Sequence, residues 1–265
     1  MSLEILHDAR IRSVAWRDLV YVSRLEVVRE LLLSVPWLAA SILLAHRGYY
    51  LPALGFSFVF FLTGLRQVHN AYHYALGIPR RATEGVMFVL SVMMLGSMHA
   101  VQFNHLQHHK HCMDDDDVEG ASARMSALGA LLMGPWFPVR LHFKALQVAA
   151  PRQFRWIIAE LLANAAWIVA VFAFLDVAAL KYHVIIMAIG QCLTSFFAVW
   201  TVHHDCDRSH FIARTLRHRL KSLVFFDMFF HVEHHLFPKV PTCHLALLAK
   251  RLDQAAPELQ HKQVF

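Results

Sequence analysis

Two long apolar segments in the second half of the chain limit its possible folds more than any other feature. Trp156–Leu175 and His183–Val202 can each cross a bilayer as a helix, because about 20 mostly apolar residues span the hydrocarbon core. Val27–Ala45 and the shorter Tyr49–Leu65 are two further candidates. The composition agrees, since 57% hydrophobic residues and a mean hydropathy of +0.42 are too apolar for an ordinary soluble domain.

The four candidates form two hairpins with tight connections, His46–Gly48 and Asp176–Tyr182. Of the 25 lysines and arginines in the chain, these connections contain only Arg47 and Lys181. The positive-inside rule therefore places the other ends of the spans in the cytoplasm. The sequence predicts a single all-α domain over residues 1–265, a multi-pass protein of the bacterial inner-membrane type with a cytoplasmic helical cap.

A fifth apolar segment, Gly85–Phe103, is expected to lie in the interface or to re-enter without crossing. If it crossed, it would place the histidines that precede it and those that follow it on opposite sides of the membrane. It would also move the last basic segment outside. Met125–Val139 is too short to span and is interrupted by glycine and proline, so it is also predicted to be interfacial.

Three histidine clusters follow apolar segments, with the spacing His-x-x-x-His at 69–73 and His-x-x-His-His at 105–109 and 231–235. A helix places residues i, i+3 and i+4 on one face, so each cluster can direct its rings one way. Imidazole is the commonest metal ligand near neutral pH. The eight candidate ligands are His69, His73, His105, His108, His109, His231, His234 and His235.

A further pair, His203 and His204, ends the last apolar segment, and one of the two would make nine imidazoles at the same side of the membrane. Nine ligands are too many for one ion and suit two. Imidazole alone leaves Zn, Cu, Fe and Ni open. A membrane zinc hydrolase needs fewer histidines, and a metal transporter needs ligands along a path through the spans. Both alternatives are therefore disfavoured.

These motifs closely resemble the three histidine boxes of the membrane fatty acid desaturase superfamily, which also includes hydroxylases. The acidic residues 114–119 are similar to the stretch that often follows the second box, and the resemblance covers roughly residues 65–240. It implies a non-heme di-iron centre, with two Fe ions held by the eight box histidines and a ninth. The residues after His204 resemble those that follow the ninth ligand in some members, which favours His204 over His203.

The resemblance implies O2-dependent oxidation of an unactivated C–H bond in a lipid, with no catalytic side chain beyond the metal centre. Desaturation of a fatty acyl chain is the first expectation, and hydroxylation of an acyl chain, alkane or carotenoid-like lipid is the alternative. The sequence has no fused cytochrome b5 motif, dinucleotide fingerprint or cysteine-rich iron–sulfur segment. We therefore expect a separate donor, a ferredoxin, a rubredoxin or a cytochrome b5-like protein, for which Arg214–Lys221 is a candidate docking segment.

The net charge of +6 flanks apolar segments, so membrane lipids are expected partners and nucleic acid is not. Polar residues adjacent to the boxes are candidates for fixing the ring tautomers: Asn70, Asn104, Asp205, Asp227 and Glu233. Three polar residues inside the spans are candidates for a substrate tunnel or for contacts between helices: Glu160, Asn164 and Gln191. The acidic run 114–117 is expected to be a solvated loop or a helix cap.

Overall fold

The computed structural model describes residues 4–207 and 210–264, and these residues are mostly helical. Within them there is no β-strand, and a single bridge pairs Thr215 with Gln263. Short helical segments lie at Glu4–His7, Ala9–Arg12, Arg17–Val20, Gly120–Arg124 and Pro257–His261. The longer helices are α1 (Arg24–His46), α2 (Tyr50–Tyr72), α3 (Arg80–Met94), α4 (Met98–His111), α5 (Ala127–Met133), α6 (Trp136–Val148), α7 (Pro151–Leu175), α8 (Ala178–His203), α9 (Arg219–Val224), α10 (His231–Leu236) and α11 (Thr242–Ala255).

Four of these helices, α1, α2, α7 and α8, are long and apolar enough to cross a membrane. They correspond to the four predicted spans, so the prediction of an all-helical membrane protein with four spanning helices is confirmed. The second span is longer than predicted, because α2 continues from Leu65 to Tyr72. The extension is polar, but Arg66, Gln67 and Asn70 are buried against other parts of the protein. This continuation positions the first histidine cluster at the end of α2.

Helices α3 and α4 meet at a sharp bend, where their axes differ by 111°. Leu95 adopts the left-handed conformation at the turn, with φ 56°. The carboxylate of Glu160 on α7 then accepts hydrogen bonds from the Ser97 hydroxyl (2.6 Å), the His99 main-chain N–H (3.0 Å) and His99 Nδ1 (2.7 Å). A carboxylate at a helix N-terminus interacts favourably with the helix dipole. The bend, which lies within the predicted non-crossing segment, directs α4 toward the ends of α2 and α8.

The short helices α5 and α6 expose large apolar side chains along one stretch of surface. Leu128, Leu132 and Trp136 are each about two-thirds exposed, and Phe143 is similarly accessible. Helices with an apolar outer face and a length below that of a span are typical of the membrane interface. Neither α5 nor α6 is long enough to be a candidate span, and the interfacial location of Met125–Val139 stays a prediction.

The C-terminal residues form a cap whose core also includes the N-terminal segment. On α11, the buried side chains of Leu245, Leu248 and Leu252 belong to the same apolar cluster as Ile11 and Leu19. The N-terminal segment and α11 therefore pack together around one apolar core. This unit supports α10, the helix that contains the third histidine cluster.

The connection between α5 and α6 approaches α8 so closely that only glycine fits at position 134. A Cβ atom there would lie 1.9 Å from the main-chain oxygen of Cys192. We expect Gly134→Ala to force these helices apart and to destabilise the protein by about 1–3 kcal/mol or more. Thermal unfolding in detergent measures this effect. Gly85→Ala on α3 is the control, because nothing lies within 4 Å of a Cβ there; equal melting temperatures for the two variants would contradict the prediction.

Candidate metal centre

Nine histidines from four helices converge at one end of the spans. The first cluster consists of His69, on α2, and His73, the residue that follows the end of α2. The second cluster lies on α4 and the third on α10, and His203 at the end of α8 is the ninth histidine. Eight of the rings form two groups, and the ligand atoms of each group lie within 4.8 Å of one another. The first group is His69, His73, His105 and His234, and the second is His108, His203, His231 and His235.

The ninth ring, His109, lies beside the first group and touches the second. Its Nε2 atom is 2.9 Å from Nε2 of His234 and 3.2 Å from Nε2 of His105. Its ring also stacks on His235, with centroids 4.2 Å apart. The first group can therefore use five imidazoles and the second four.

The structure brings His203, rather than His204, into the cluster. His203 Nδ1 donates to the carbonyl of Ile212 (2.9 Å), so its Nε2 faces the other histidines of its group. His204 turns away, stacks on the indole of Trp200 with centroids 3.9 Å apart, and donates from Nδ1 to the Trp200 carbonyl. The similarity of the following residues had favoured His204, but short-range sequence does not show which of two adjacent side chains faces inward at a helix end.

Two carboxylates behind the cluster fix the tautomers of α4 histidines. His105 Nδ1 lies 2.8 Å from Glu119, and His108 Nδ1 lies 2.7 Å from Asp117. With Nδ1–H donated outward, the inner Nε2 atom has a free lone pair, the form that binds a metal. Asp117 also accepts from the main-chain N–H groups of Met113 and Gly120, which makes this part of the acidic run a buried turn.

The chemistry of the inner nitrogens fits a cation. His105 directs Nδ1 to the Glu119 carboxylate, so its Nε2 atom carries a lone pair. This Nε2 atom lies 3.0 Å from Nε2 of His73. Among the described residues, Nε2 of His69 and both ring nitrogens of His235 are buried with no hydrogen-bond partner. Buried polar atoms without partners are costly. A metal ion would satisfy Nε2 of His69 and one ring nitrogen of His235, and an all-imidazole set suits Fe, Zn, Cu or Ni.

Burial favours the neutral form that binds metals in most of these rings; at His108 the neighbouring Cys112 and Asp117 instead raise the pKa well above the ordinary value, although burial alone would lower it. Loss of solvation, reinforced by neighbouring imidazoles, lowers the pKa of His109, His234 and His235 well below the ordinary value. It lowers the pKa of His73 to about 3. Burial raises the pKa of Glu119 to about 7. Since a metal competes with protons for imidazole nitrogen, low pKa values favour metal binding at neutral pH.

An apolar cavity lies directly against the histidines. His69, His105 and His231 line one wall, and side chains of α2, α4, α6 and α8 line the others. Polar groups in the lining include Glu119 and Gln191. A long apolar molecule in this cavity would contact histidines of both groups.

Comparison with known protein families matches residues 44–264 to the model described as fatty acid desaturase. The match covers most of the chain, including every residue of the nine-histidine cluster. The chain belongs to the fatty acid desaturase family. Searches of curated proteins and of solved structures gave no significant match. Family membership identifies an oxidoreductase of the desaturase or hydroxylase type and agrees with histidine groups that could bind metal.

In this desaturase-family chain, three residues predicted to orient the rings bind elsewhere. Asn70 accepts from the main-chain N–H and hydroxyl of Thr242, which ties α2 to α11. Asn104 donates to the carbonyls of Ala100 and Leu141. Glu233 is fully buried with the Thr215 hydroxyl at 2.9 Å and Arg217 at 2.6 Å. These contacts hold the elements that support the histidines and do not touch an imidazole.

The two aspartates predicted to orient the rings are also directed away from them. Asp205 is largely exposed and pairs with Arg214 at 3.3 Å. Asp227 accepts from the Ser222 hydroxyl at 2.8 Å. Their adjacency in sequence to a histidine did not imply proximity to its ring. The carboxylates that bind imidazoles of the nine-histidine cluster, Asp117 and Glu119, belong to the acidic stretch that the resemblance had indicated.

Of the three candidate tunnel residues of this desaturase-family chain, only Gln191 lines the cavity beside the histidines. Glu160 instead holds the bend before α4. Asn164 donates to the Ser91 hydroxyl (3.1 Å) and to the Glu160 carbonyl, so it links α7 to α3. Contacts between helices were the alternative reading for these residues, and they are what the structure shows for Glu160 and Asn164.

A buried ion pair that the sequence did not single out positions the approach to the third cluster. Arg66 on α2 pairs with Glu30 on α1, and both are nearly inaccessible. Arg66 also donates to the carbonyl of Phe226 (2.6 Å). Phe226 and Asp227 both adopt positive φ, a strained turn that persists only where its surroundings impose it. The pair thus holds the turn that leads into His231.

The basic segment Arg214–Lys221 is partly turned inward. Arg214 donates to the carbonyls of His204 and Gln263. Arg217 forms ion pairs with Glu233 and Asp253. These two arginines therefore hold the C-terminal segment against α10 and offer little of their charge to a partner.

Proposed function

We propose that this protein uses two iron ions to oxidise an unactivated C–H bond in a lipid, and that the reaction is desaturation of a fatty acyl chain. One observation carries the proposal: nine imidazoles converge at one end of the spans, eight of them in two groups, and three of the nine line an apolar cavity. A hydrolase has no need of two histidine-rich metal positions beside a hydrocarbon-lined space. Membership of the fatty acid desaturase family supports the same reaction type.

Iron, when bound, would supply the activation of O2 that no side-chain acid or base can provide. The protein's part is to hold neutral imidazoles toward the metals, through the Glu119, Asp117 and Ile212 contacts. The cavity wall excludes water and orients the chain against His69, His105 and His231. One desaturation removes two hydrogen atoms from the chain, and with two electrons and two protons from a donor these reduce O2 to two waters.

The electrons must come from a separate carrier, and we propose a ferredoxin, a rubredoxin or a cytochrome b5-like protein. The histidine end of the spans would face the cytoplasm, because that end contains nearly all of the lysines and arginines. The inward contacts of Arg214 and Arg217 make the segment 214–221 a poor docking face as a whole. Its exposed positions are His218, Arg219, Leu220 and Lys221, and the Arg219 charge could face a partner or anionic lipid.

The decisive experiment is lipid profiling of cells that express the protein, beside cells that express His234→Ala at equal membrane abundance. We expect new double bonds in acyl chains with the unchanged protein and none with the variant, because His234 belongs to the first metal group. Iron analysis of purified protein should give about two irons per chain.

The outcomes separate the alternatives. New hydroxyl groups in place of double bonds would replace desaturation by hydroxylation at the same centre. Stoichiometric zinc with no O2-dependent product, after expression in iron-replete medium, would reject the oxidase. Full activity in His234→Ala would reject the ligand assignment.

A further inference from the structure

Three side chains of metal-binding type meet where α1 and α11 begin, and none of them belongs to the nine-histidine cluster. They are Glu26 in the first turn of α1 and the adjacent residues Cys243 and His244 of α11. A carboxylate oxygen, a thiol sulfur and an imidazole nitrogen from these residues all lie within 4.8 Å of one another. Glu26 and His244 are 218 positions apart in the chain, so the fold rather than local sequence brings them together.

The contacts of His244 leave a lone pair facing a carboxylate. Its Nδ1 atom lies 2.7 Å from the carbonyl oxygen of Leu19, which can only accept, so a neutral ring carries its hydrogen on Nδ1. The Nε2 atom then presents a lone pair to Oε1 of Glu26 at 3.0 Å. Two acceptors at that distance need a cation between them, either a second ring proton or a metal ion.

The surroundings of both groups are those of metal ligands. A metal-binding histidine usually donates its other ring N–H to a carboxylate, a carbonyl or water, as His244 does to Leu19. Ligating carboxylates are also hydrogen-bonded, and Oε2 of Glu26 lies 2.8 Å from the Ser23 main-chain nitrogen and 2.6 Å from its hydroxyl. A tetrahedral ion with bonds of about 2.0–2.1 Å separates two such ligand atoms by about 3.3 Å. That separation is close to the observed distance between Nε2 and Oε1.

Cys243 favours a metal over a proton at this position. An imidazolium–carboxylate pair does not require a thiol, whereas Zn²⁺ binds thiolate, imidazole and carboxylate. Cys243 is a free, partly buried thiol, and burial raises its pKa to about 12. The thiol is therefore protonated at neutral pH until a metal displaces its proton. All three side chains are partly exposed, so an ion can enter from water and keep a water molecule as its fourth ligand.

We propose that Glu26, Cys243 and His244 bind one Zn²⁺ ion, with water as the fourth ligand. Binding replaces the thiol hydrogen by a sulfur–zinc bond, and the proton passes to solvent together with any second ring proton of His244. Neither sulfur nor zinc changes its oxidation state. The proposal does not depend on the proposed function, because the three residues lie outside both imidazole groups.

The ion joins parts of the protein that already pack together. Leu19 belongs to the same apolar core as Leu245 on α11. Thr242, the residue before Cys243, donates its main-chain N–H and its hydroxyl to Asn70 on α2. Zn²⁺ adds a bond from the first turn of α1 to the start of α11 beside these contacts. Because binding of a structural metal contributes folding free energy, the site stabilises the cap that supports α10.

The test uses the full-length protein in detergent, with elemental analysis for zinc and a Co²⁺ titration followed by absorption. Cobalt bound to a thiolate gives a charge-transfer band in the near ultraviolet, and cobalt bound by imidazole alone does not. We expect Cys243→Ser to abolish this band and to lower the zinc content by about one ion per chain. A band that persists in Cys243→Ser arises from another thiol, such as Cys112 beside His108, and overturns the proposal.

Cys206→Ser is the matched control. Cys206 is also a partly buried free thiol whose pKa burial raises to about 12, and it belongs to no metal-binding group among the described residues. This variant should keep the band and the zinc of the unchanged protein. Equal zinc contents in Cys206→Ser and Cys243→Ser contradict the proposal.

Glu26→Gln tests the site without removing the thiol. Glutamine retains the capping box with Ser23 at the start of α1, so the variant is expected to fold. Loss of the carboxylate charge should raise the Co²⁺ concentration at half-saturation of the band about 10–100-fold. An unchanged half-saturation, or no thiolate band in the unchanged protein, shows that His244 pairs with Glu26 as an imidazolium and rejects the zinc site.

Discussion

Replacing His203 with alanine is expected to remove the metal of the second group and to abolish oxidation. His203 Nε2 lies 3.1 Å from Nε2 of His108 and 3.0 Å from Nε2 of His231, so the ring stands at the centre of that group. Its loss leaves three imidazoles. Iron measured on purified protein should fall from about two to about one per chain, with no lipid product above that of empty cells.

The adjacent residue is the control. His204→Ala should retain both irons and near-normal oxidation, because the His204 ring stacks on Trp200 and lies outside both groups. The two variants differ by one position and delete the same side chain, so a general effect at the end of α8 would affect both. Iron loss in His204→Ala with retention in His203→Ala would reverse the assignment of the ninth ligand.

The second large effect is expected at Asp117. Asp117→Asn keeps the size of the side chain but removes the charge that faces His108 Nδ1 at 2.7 Å. Although burial alone would raise it, the contacts with His108 lower the pKa of Asp117, which indicates a carboxylate in the folded protein. Removing such a partner of a metal-binding histidine lowers metal affinity or activity about 10–100-fold. Competition with a chelator, followed by iron analysis, measures the change.

Asp115→Asn is the matched control, because Asp115 belongs to the same acidic run but is exposed. Its iron affinity should equal that of the unchanged protein. Equal losses in both variants would show that the acidic run acts through its overall charge. Asp117 would then have no specific role in holding His108.

The membrane spans and the box histidines could be predicted from the sequence because both are local patterns. An apolar segment of the right length predicts a span without reference to the rest of the chain. Histidines at i, i+3 and i+4 share one face wherever the helix lies. The predicted end of the second span was too early, because the polar residues that follow it are buried by tertiary contacts. The predicted second span ended at Leu65 because Arg66 follows, but Arg66 is buried in its ion pair with Glu30 and the helix continues.

Contacts between distant segments could not be predicted in the same way. Asp117 reaches His108 from nine residues away because a turn folds back, and Glu160 reaches Ser97 across 63 residues. The choice between His203 and His204 depended on which ring the indole of Trp200 would hold. Each of these outcomes depends on a three-dimensional neighbour, and none of them has a spacing signature.

The anchor at the start of α4 has a mechanical consequence. Helix α4 begins just after Ser97, and its three box histidines lie about 12–18 Å along the helix from that point. Metal ligands must be held to within about 0.5 Å, and at this lever length such a displacement corresponds to a rotation of about 2°. Helix α7 contributes no imidazole, yet the three hydrogen bonds to its Glu160 set the angle of that lever. A residue inside the third span therefore sets the orientation of α4, and with it the positions of the α4 histidines.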